Sequence, residues 1–281
     1  LITVVKRDSL TVDVSDKISM KFSTSKTELQ QALQKLSKAT PTRSTLPILG
    51  CTLIEVKEEK TTLRATDLEI TIQTEIPASL EQAGTAALPL KTLLDITNEM
   101  PETRLTLSVD EKNRASITTD TGEYGLMAKP AEEFPAIPDQ KGPNSIKTSG
   151  SVLKEIIDAT SFAVSRDELK PALTGVFFQI SPAGITAVAT DGHRLVKYSR
   201  KDFKANGFSG DLIVPKKFLT YMSTQQMDQD TELIIGENHL TAKIDNDFVL
   251  TRIIDERFPD YESVIPKEND KTLKAEKEVL L

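Results

Sequence analysis

The sequence predicts an α+β protein built from tandem copies of one domain, and two observations carry this prediction. First, motifs recur at a constant distance: Ala65–Asp67 returns 124 residues later as Ala189–Asp191. Phe134 returns after the same interval as Phe258. A period of this length indicates whole domains, because solenoid units repeat every ~20–50 residues. Second, each copy shows a strand, a helix and three strands, twice in succession, which implies mostly antiparallel sheets with the helices gathered on one face.

The repeat divides the chain into four parts. Residues 1–19 precede it and are interpreted as an N-terminal appendage, with a native extra strand around Leu10–Val14 as the alternative. Residues 20–142 form the first predicted domain and residues 143–267 the second. The opening pattern returns once more in residues 268–281, so we expect a third domain that is truncated at its start.

The first copy opens with a strand and an amphipathic helix. Ser25 is the predicted N-cap, with Glu28 three residues later in the capping-box pattern, and the helix is expected to span Ser25–Ala39. One face of it is apolar at helical spacing, at Leu29, Leu33 and Leu36. Alternating runs separated by charged turns predict strands at Lys21–Ser23, Cys51–Val56, Thr61–Ala65 and Glu69–Glu75.

The same order then restarts within the first copy. A second helix is predicted at Leu90–Met100, where Pro101 ends it. The strands around this helix are predicted at Gly84–Leu88, Arg104–Val109, Arg114–Thr119 and Tyr124–Ala128.

The second copy follows the same plan. Its helices are predicted at Ser151–Ala163 and at Pro215–Ser223, where proline suits the first turn. Its strands are predicted at Gly175–Ile180, Gly184–Ala189, Arg194–Ser199, Leu233–Ile235, Leu240–Ile244 and Phe248–Arg252. Linkers are expected at Pro138–Ser145 and Pro266–Lys271.

Composition limits the possible functions. The 35 basic and 42 acidic residues give a net charge of −7, which argues against indiscriminate coating of nucleic acid but leaves a local basic surface open. The single Cys51 excludes an internal disulfide pair and a multi-cysteine zinc site. No apolar run reaches the ~18 residues of a membrane span, and the first residues lack a signal-peptide pattern. We therefore expect a cytoplasmic protein without a metal or another cofactor.

Five motifs, in order, resemble those of the beta sliding clamp family, the beta subunits of bacterial DNA polymerase III. They are Thr45–Gly50, Ala65–Glu69, Lys170–Val176, Ala189–Leu195 and Arg257–Tyr261. The resemblance runs from Met20 to Leu281 and implies tandem clamp domains, with sheets outside and helices on the inner face. It further implies a processivity factor without catalytic residues, whose two protomers close head to tail around duplex DNA. Such a ring tethers the polymerase and slides without sequence specificity.

Charge along the helices partly agrees with a DNA-facing surface. The helix at Ser25–Ala39 and the helix at Pro215–Ser223 are rich in lysine, whereas the helix at Leu90–Met100 is not. A solvated helix face is the alternative for each lysine. By resemblance Arg43 matches a DNA-contacting loop arginine, and Lys170 replaces a usual arginine without its bidentate fork. The predicted DNA-binding residues are Lys35, Lys38, Arg43, Lys170, Lys216 and Lys217.

The resemblance also implies a hydrophobic pocket between the second and third domains, where polymerases and the clamp loader dock a short peptide. The matching positions are Leu173, Thr190, Gly192, His193, Arg194, Leu195, Pro259 and Val264. The alternative is a simple turn, which Asp191 followed by glycine favours. The first copy has Leu68 and Glu69 at the place of Gly192 and His193, so the turn does not require Gly-His and a function is favoured.

Tyr124 and Leu126 match protomer-interface positions of the family, although they also suit an ordinary strand. Without a third domain this edge would have no partner, and an unpaired edge is prone to aggregation. We therefore expect no closed ring from this chain by itself.

Two other classes of function stay open at this point. An enzyme could use Asp191 with His193, or Asp67 with Glu69, but no nucleophile, metal-ligand set or phosphate loop accompanies either pair. A duplicated protein-binding adaptor without DNA contact is the second alternative. A clamp predicts that the four long helices lie together with a positive surface, and an adaptor does not.

Overall fold

The computed structural model of the protein describes residues 3–5, 17–41, 43–58, 60–138, 142–225 and 230–280. The alternative strand at Leu10–Val14 and the middle of the linker Pro138–Ser145 lie outside these residues. Every strand pairing among the described residues is antiparallel. The α+β fold with antiparallel sheets is thus confirmed.

The elements follow the predicted order, and we call β2 to β10 the first unit and β11 to β18 the second. The chain begins with β1 (Thr3–Val5), β2 (Ile18–Ser25), α1 (Lys26–Leu36), β3 (Cys51–Val56), β4 (Thr61–Thr66), β5 (Ile70–Ile76), β6 (Ser79–Gln82), β7 (Gly84–Pro89), α2 (Leu90–Glu99), β8 (Arg104–Asp110), β9 (Arg114–Thr118) and β10 (Glu123–Met127). It continues with β11 (Asn144–Ser149), α3 (Gly150–Thr160), β12 (Gly175–Ser181), β13 (Gly184–Thr190), β14 (Leu195–Arg200), β15 (Gly210–Pro215), α4 (Lys216–Ser223), β16 (Asp230–Ile235), β17 (His239–Ile244), β18 (Asp247–Arg252) and α5 (Lys277–Leu280).

The four long helices form where the sequence predicts them. The backbone N–H of Glu28 donates to Ser25 Oγ at 3.1 Å, so Ser25 caps α1 as expected. The predicted end of this helix, Ser37–Ala39, is a separate 3-10 turn. Pro215 is the N-cap of α4 and not a residue of its first turn. No sequence pattern predicts β6, because this short strand is mostly exposed and has Leu80 as its single apolar residue.

Three sheets form, and one of them crosses from the first unit to the second. The eight-stranded sheet has the order β11-β16-β17-β18-β5-β4-β3-β7, so β18 of the second unit lies beside β5 of the first. Val249 is opposite Ile72 in this pairing. The other two sheets have the orders β1-β10-β9-β8-β2-β6 and β14-β13-β12-β15. The two units therefore share a backbone hydrogen-bonded sheet.

The helices pack in pairs beside the sheets. Gln30 of α1 donates to Asn98 of α2 at 2.7 Å. Lys154 of α3 donates to the carbonyl oxygen of Ser223, the last residue of α4, at 2.6 Å. The apolar faces of all four helices belong to one hydrophobic core that continues through both units. The burial of these faces is the main stabilising contribution of the helices.

Two smaller apolar clusters occupy equivalent places in the two units. Phe134 packs with Ile48 and Leu49 in the first, and Phe258 packs with Leu173 and Ile213 in the second. Each cluster fixes the chain segment that leaves the last strand of its unit.

Because the two units share a sheet, we expect that a cavity created in β5 also destabilises the neighbouring strand of the second unit. Ile72→Ala and Ile54→Ala both remove a fully buried side chain in the first unit. Each should lower the free energy of unfolding by about 2–5 kcal/mol, measured by urea denaturation. Only Ile72→Ala should also accelerate hydrogen exchange at the amide of Val249, because Ile72 lies opposite it and Ile54 pairs within the first unit. Equal acceleration in both variants would contradict this coupling.

Candidate functional site

The predicted partner site centres on the turn between β13 and β14. Thr190 Oγ1 donates to the carbonyl oxygen of Arg194 at 2.7 Å and accepts from the N–H of Gly192 at 3.1 Å. Asp191 Oδ1 accepts from the N–H groups of His193 and Arg194, both at 3.0 Å. A threonine and an aspartate therefore hold the turn through four hydrogen bonds.

The first unit contains the same turn between β4 and β5. Thr66 Oγ1 donates to the carbonyl oxygen of Ile70 and accepts from the N–H of Leu68, both at 3.1 Å. Asp67 Oδ1 accepts from the N–H of Glu69 at 3.1 Å and from that of Ile70 at 2.9 Å. The turn thus forms without Gly-His, and its central residues are free to differ between the units.

The central residue of each turn has a positive φ. It is 91° at Gly192 and 76° at Leu68. Glycine adopts this conformation readily, whereas a bulky side chain disfavours it. The second turn is therefore relaxed and the first is strained at Leu68.

Arg194 is oriented by two neighbours of the turn. Its Nε lies 3.0 Å from Asp191 Oδ2, and its guanidinium carbon lies 5.7 Å from the centre of the Phe162 ring. Hydrogen bonds from the N–H groups of Arg194 and His193, with the guanidinium charge of Arg194, lower the pKa of Asp191 to about 2. His193 and Gly192 are exposed at the tip of the turn.

An apolar cluster lies below this turn and contains two of the predicted pocket residues, Leu173 and Leu195. Phe177 of β12 stacks on Phe258 with their ring centres 4.7 Å apart, and Tyr261 meets both rings edge-on. These aromatic residues were not predicted as part of the site, although the recurrence of Phe134 as Phe258 marked one of them.

Pro259 and Val264 lie on the segment that the aromatic cluster holds. The Val264 side chain is 67% exposed. Lys197 of β14 forms an ion pair with Glu262, which ties the segment to the sheet. The structure therefore gathers the predicted pocket residues around β13, β14 and the segment after β18.

Two of the predicted DNA-binding lysines form ion pairs between the units. Lys35 Nζ of the first unit lies 2.6 Å from Asp247 Oδ2 of the second. Lys217 of the second unit pairs with Asp67 of the first. The aspartate side chains are only 11% and 6% exposed. These lysines stabilise the junction, and their charges are largely neutralised.

Lys38 and Lys216 differ from these two lysines. Neither has a carboxylate partner in the described part of the chain, and both line a cavity of about 1110 Å³ between the end of α1 and α4. The negatively charged Glu69 and Glu168 also line this cavity. Positive charge at this face is therefore local.

Arg43 and Lys170 occupy corresponding loops of the two units. Arg43 is exposed shortly before the 3-10 turn Pro47–Gly50, and Lys170 directly precedes the turn Pro171–Leu173. Lys170 Nζ is 4.0 Å from a carboxylate oxygen of Asp167, a weak exposed contact. The loops place one cation in each unit next to an equivalent turn.

The predicted interface strand is not an open edge. Thr3–Val5 of β1 pair with Glu123–Gly125 of β10, so the expectation of an unpaired edge is wrong for these residues. The cause is the appendage, which supplies a strand from outside the repeat. Leu126 is buried in the core, and Tyr124 packs against it while half-buried.

Two of the carboxylates considered for catalysis already have partners. Asp67 accepts from its turn and pairs with Lys217, and Asp191 accepts from its turn and from Arg194. In the ranges that the structure describes, no group of three or more His, Cys, Asp or Glu side chains is placed to hold a metal ion. No helix within those ranges is long and apolar enough to cross a membrane.

Comparison with known proteins gives a consistent result. The model of the DNA polymerase III beta subunit N-terminal domain matches residues 20–138, and that of its central domain matches residues 147–260. The beta sliding clamp of Vibrio cholerae is 30% identical over 260 residues, which cover 91% of this chain and 70% of the relative.

Solved structures give the same picture. The DNA polymerase sliding clamp of Bacillus subtilis superposes with a TM-score of 0.84 at 28% identity, covering 89% of this chain and 68% of its own. A sliding clamp of Pseudomonas aeruginosa bound to griselimycin superposes with a TM-score of 0.81 at 27% identity, covering 90% of this chain and 69% of its own. The chain thus spans about 70% of the length of these relatives.

The two equivalent turns allow a matched test of the junction ion pair. Asp67→Ala removes two turn hydrogen bonds and the partner of Lys217, and should lower the free energy of unfolding by about 2–4 kcal/mol. Asp191→Ala removes the equivalent turn bonds but only an exposed arginine contact, so its loss should be smaller. Urea denaturation measures both. If the two losses were the same, the Lys217 pair would contribute nothing.

Proposed function

This chain belongs to the DNA polymerase III beta subunit family of DNA sliding clamps, and on that premise we propose how its parts act in a clamp. A sliding clamp is an accessory processivity factor that keeps a polymerase on its template. The two units form successive sectors of a ring around duplex DNA, and the ring is completed by a third domain and a second protomer.

The observation that carries this proposal is the strand pairing between the units. By the 124-residue repeat, β14 of the second unit corresponds to β5 of the first. In the same way, β10 of the first unit corresponds to β18 of the second. β5 pairs with β18, and β14 ends its four-stranded sheet without a further strand among the described residues. Because the contact joins two unlike edges, it is heterologous and gives a ring when its rotation closes. β14 therefore offers its edge to a following domain, whereas the equivalent edge of β10 is covered by β1.

DNA contact in such a ring needs only weak attraction to phosphates. Contacts to phosphates carry no sequence information, so a ring held by topology slides freely. Lys38, Arg43 and Lys216 are suited to this role, because no described carboxylate neutralises them. Lys170 adds a weakly paired cation in the second unit. Lys35 and Lys217 act chiefly at the junction.

Partner binding is assigned to the apolar cluster of the second unit and the turn above it. The exposed Gly192 and His193 form a polar rim, and Leu173 and Leu195 form part of an apolar floor. Such a surface suits an extended hydrophobic peptide of a polymerase or a clamp-loader subunit. We assign the protein to the cytoplasm, where it acts without a catalytic residue of its own.

Salt dependence tests the DNA-facing residues. Lys38→Gln, Arg43→Gln and Lys216→Gln should each weaken binding of a labelled duplex equally for unrelated sequences. Each should reduce the slope of log affinity against log salt by about 1, because each removes one phosphate contact. Fluorescence anisotropy at increasing salt measures the slope.

Two matched variants control this experiment. Lys60→Gln removes a lysine that is paired with Glu75 at 2.6 Å in the turn between β3 and β4, and should leave the slope unchanged. Lys217→Gln should lower the free energy of unfolding and change the slope of log affinity against log salt only slightly. An equal effect of Lys60→Gln and Lys216→Gln would refute the assignment.

The covered edge of β10 gives a second prediction. Deleting residues 1–16 exposes the backbone of Glu123–Gly125, and an exposed edge recruits strands from other chains. The truncated protein should therefore self-associate more strongly in sedimentation velocity experiments. Adding Met127→Lys, which places a charge on the exposed end of β10, should restore the monomer. Unchanged sedimentation on deletion would show that β1 does not protect this edge.

A further inference from the structure

A second cavity lies at the junction of the two units. Its volume is about 290 Å³, near the lower limit of typical ligand pockets. The first unit supplies Leu68 from its turn and Pro135 and Ile137 from the segment after β10. The second unit supplies Leu250 and Arg252 from β18. The cavity is therefore closed by both units, and none of these residues belongs to a predicted site.

The first-unit wall of this cavity corresponds to the partner site of the second unit. Leu68 lies at the position of Gly192, and Pro135 lies at the position of Pro259, each 124 residues earlier. The hydrogen bonds of the two turns are the same, as described above. The junction cavity is thus the first-unit counterpart of that site, completed by the unit that follows.

The apolar part of the cavity is built at a conformational cost. Leu68 is held at a φ of 76°, where the equivalent residue is glycine, and its side chain is 53% exposed. Strain of this kind persists where the surrounding structure enforces it and is common at binding sites. A leucine that is both strained and exposed offers an apolar contact at the cavity entrance that glycine would not.

The polar part of the cavity includes His239, Arg252 and Glu69. His239 of β17 lies opposite Arg252 of β18 in the sheet, and both line the cavity. Arg252 is exposed and has no carboxylate partner in the described part of the chain. Burial and the nearby Arg252 charge lower the pKa of His239.

The acidic residue of the cavity is Glu69, which forms no ion pair with Arg252 within the described ranges. Burial raises the pKa of Glu69, and the neighbouring Glu168 raises it further. A carboxylate from outside the chain would complement the charge of Arg252.

We propose that this junction cavity binds an extended peptide segment of a partner protein, with an apolar side chain against Leu68 and Ile137 and a carboxylate at Arg252. The peptide class rests in part on the proposed function, through the equivalence with the partner site of the second unit. Charge and apolar surface then distinguish the two sites, because the first has Leu68 and Glu69 where the second has Gly192 and His193.

The test is a nuclear magnetic resonance titration of the isotope-labelled full chain. The probe is a blocked hexapeptide with two isoleucines, one aspartate and otherwise serine and glycine. We expect shifts at the amides of Leu68, Ile137 and Arg252. Its counterpart with lysine in place of aspartate should give none of these shifts.

Two variants test the contacts. Arg252→Gln should weaken the peptide about tenfold, the loss expected for one charge-assisted hydrogen bond. Leu68→Gly reproduces the relaxed second turn, so it should fold at least as well as the original and yet bind the peptide more weakly. Unchanged affinity in Leu68→Gly, or in Arg252→Gln, would overturn the proposal.

A third variant separates this proposal from the proposed function. His193→Ala alters the second-unit site and should leave the shifts at the junction cavity unchanged. Shifts confined to Thr190–Leu195 would overturn the junction site while supporting the second-unit site. An absence of shifts at both places would overturn the junction site. The salt dependence of DNA binding would still test the clamp assignment independently.

Discussion

The antiparallel pairing of β18 with β5 is the constraint on which the rest of the structure depends. It places the first-unit turn at Asp67 beside α4 and places Asp247 beside α1, so both junction ion pairs follow from it. It also brings β17 and β18 against Leu68, which closes the smaller cavity. This backbone pairing constrains how the two units are oriented relative to each other. A defined orientation is what the proposed ring of similar sectors requires.

The repeated turn shows how one scaffold carries two surfaces. Thr66 and Asp67 make the same hydrogen bonds as Thr190 and Asp191, so the backbone of the turn is determined by these polar side chains. The next two residues do not hold the turn through their side chains. They differ between the units and change the local surface from Gly-His to Leu-Glu without altering the fold.

Charge in this protein is arranged locally. The chain carries a net charge of −7, yet lysines cluster at the end of α1 and the start of α4. Two of those lysines form ion pairs with buried aspartates at the junction. Few unpaired cations therefore face the larger cavity. Few free cations mean few phosphate contacts and weak attraction to DNA. Weak attraction is compatible with sliding in the proposed ring, because the ring itself would prevent dissociation.

The sequence by itself determined the fold class, the order of elements, the four long helices and the family. These features follow from local patterns and from a constant interval, and both can be detected along the chain. The tertiary structure alone decided that β18 pairs with β5, that Lys217 meets Asp67 across 150 residues of sequence, and that β1 covers β10. Such contacts depend on which edges and side chains the folded units bring together, and no periodicity encodes them. For the same reason the sequence did not reveal the ion pairs of Lys35 and Lys217, since a lysine on an exposed helix face carries no sign of its distant partner.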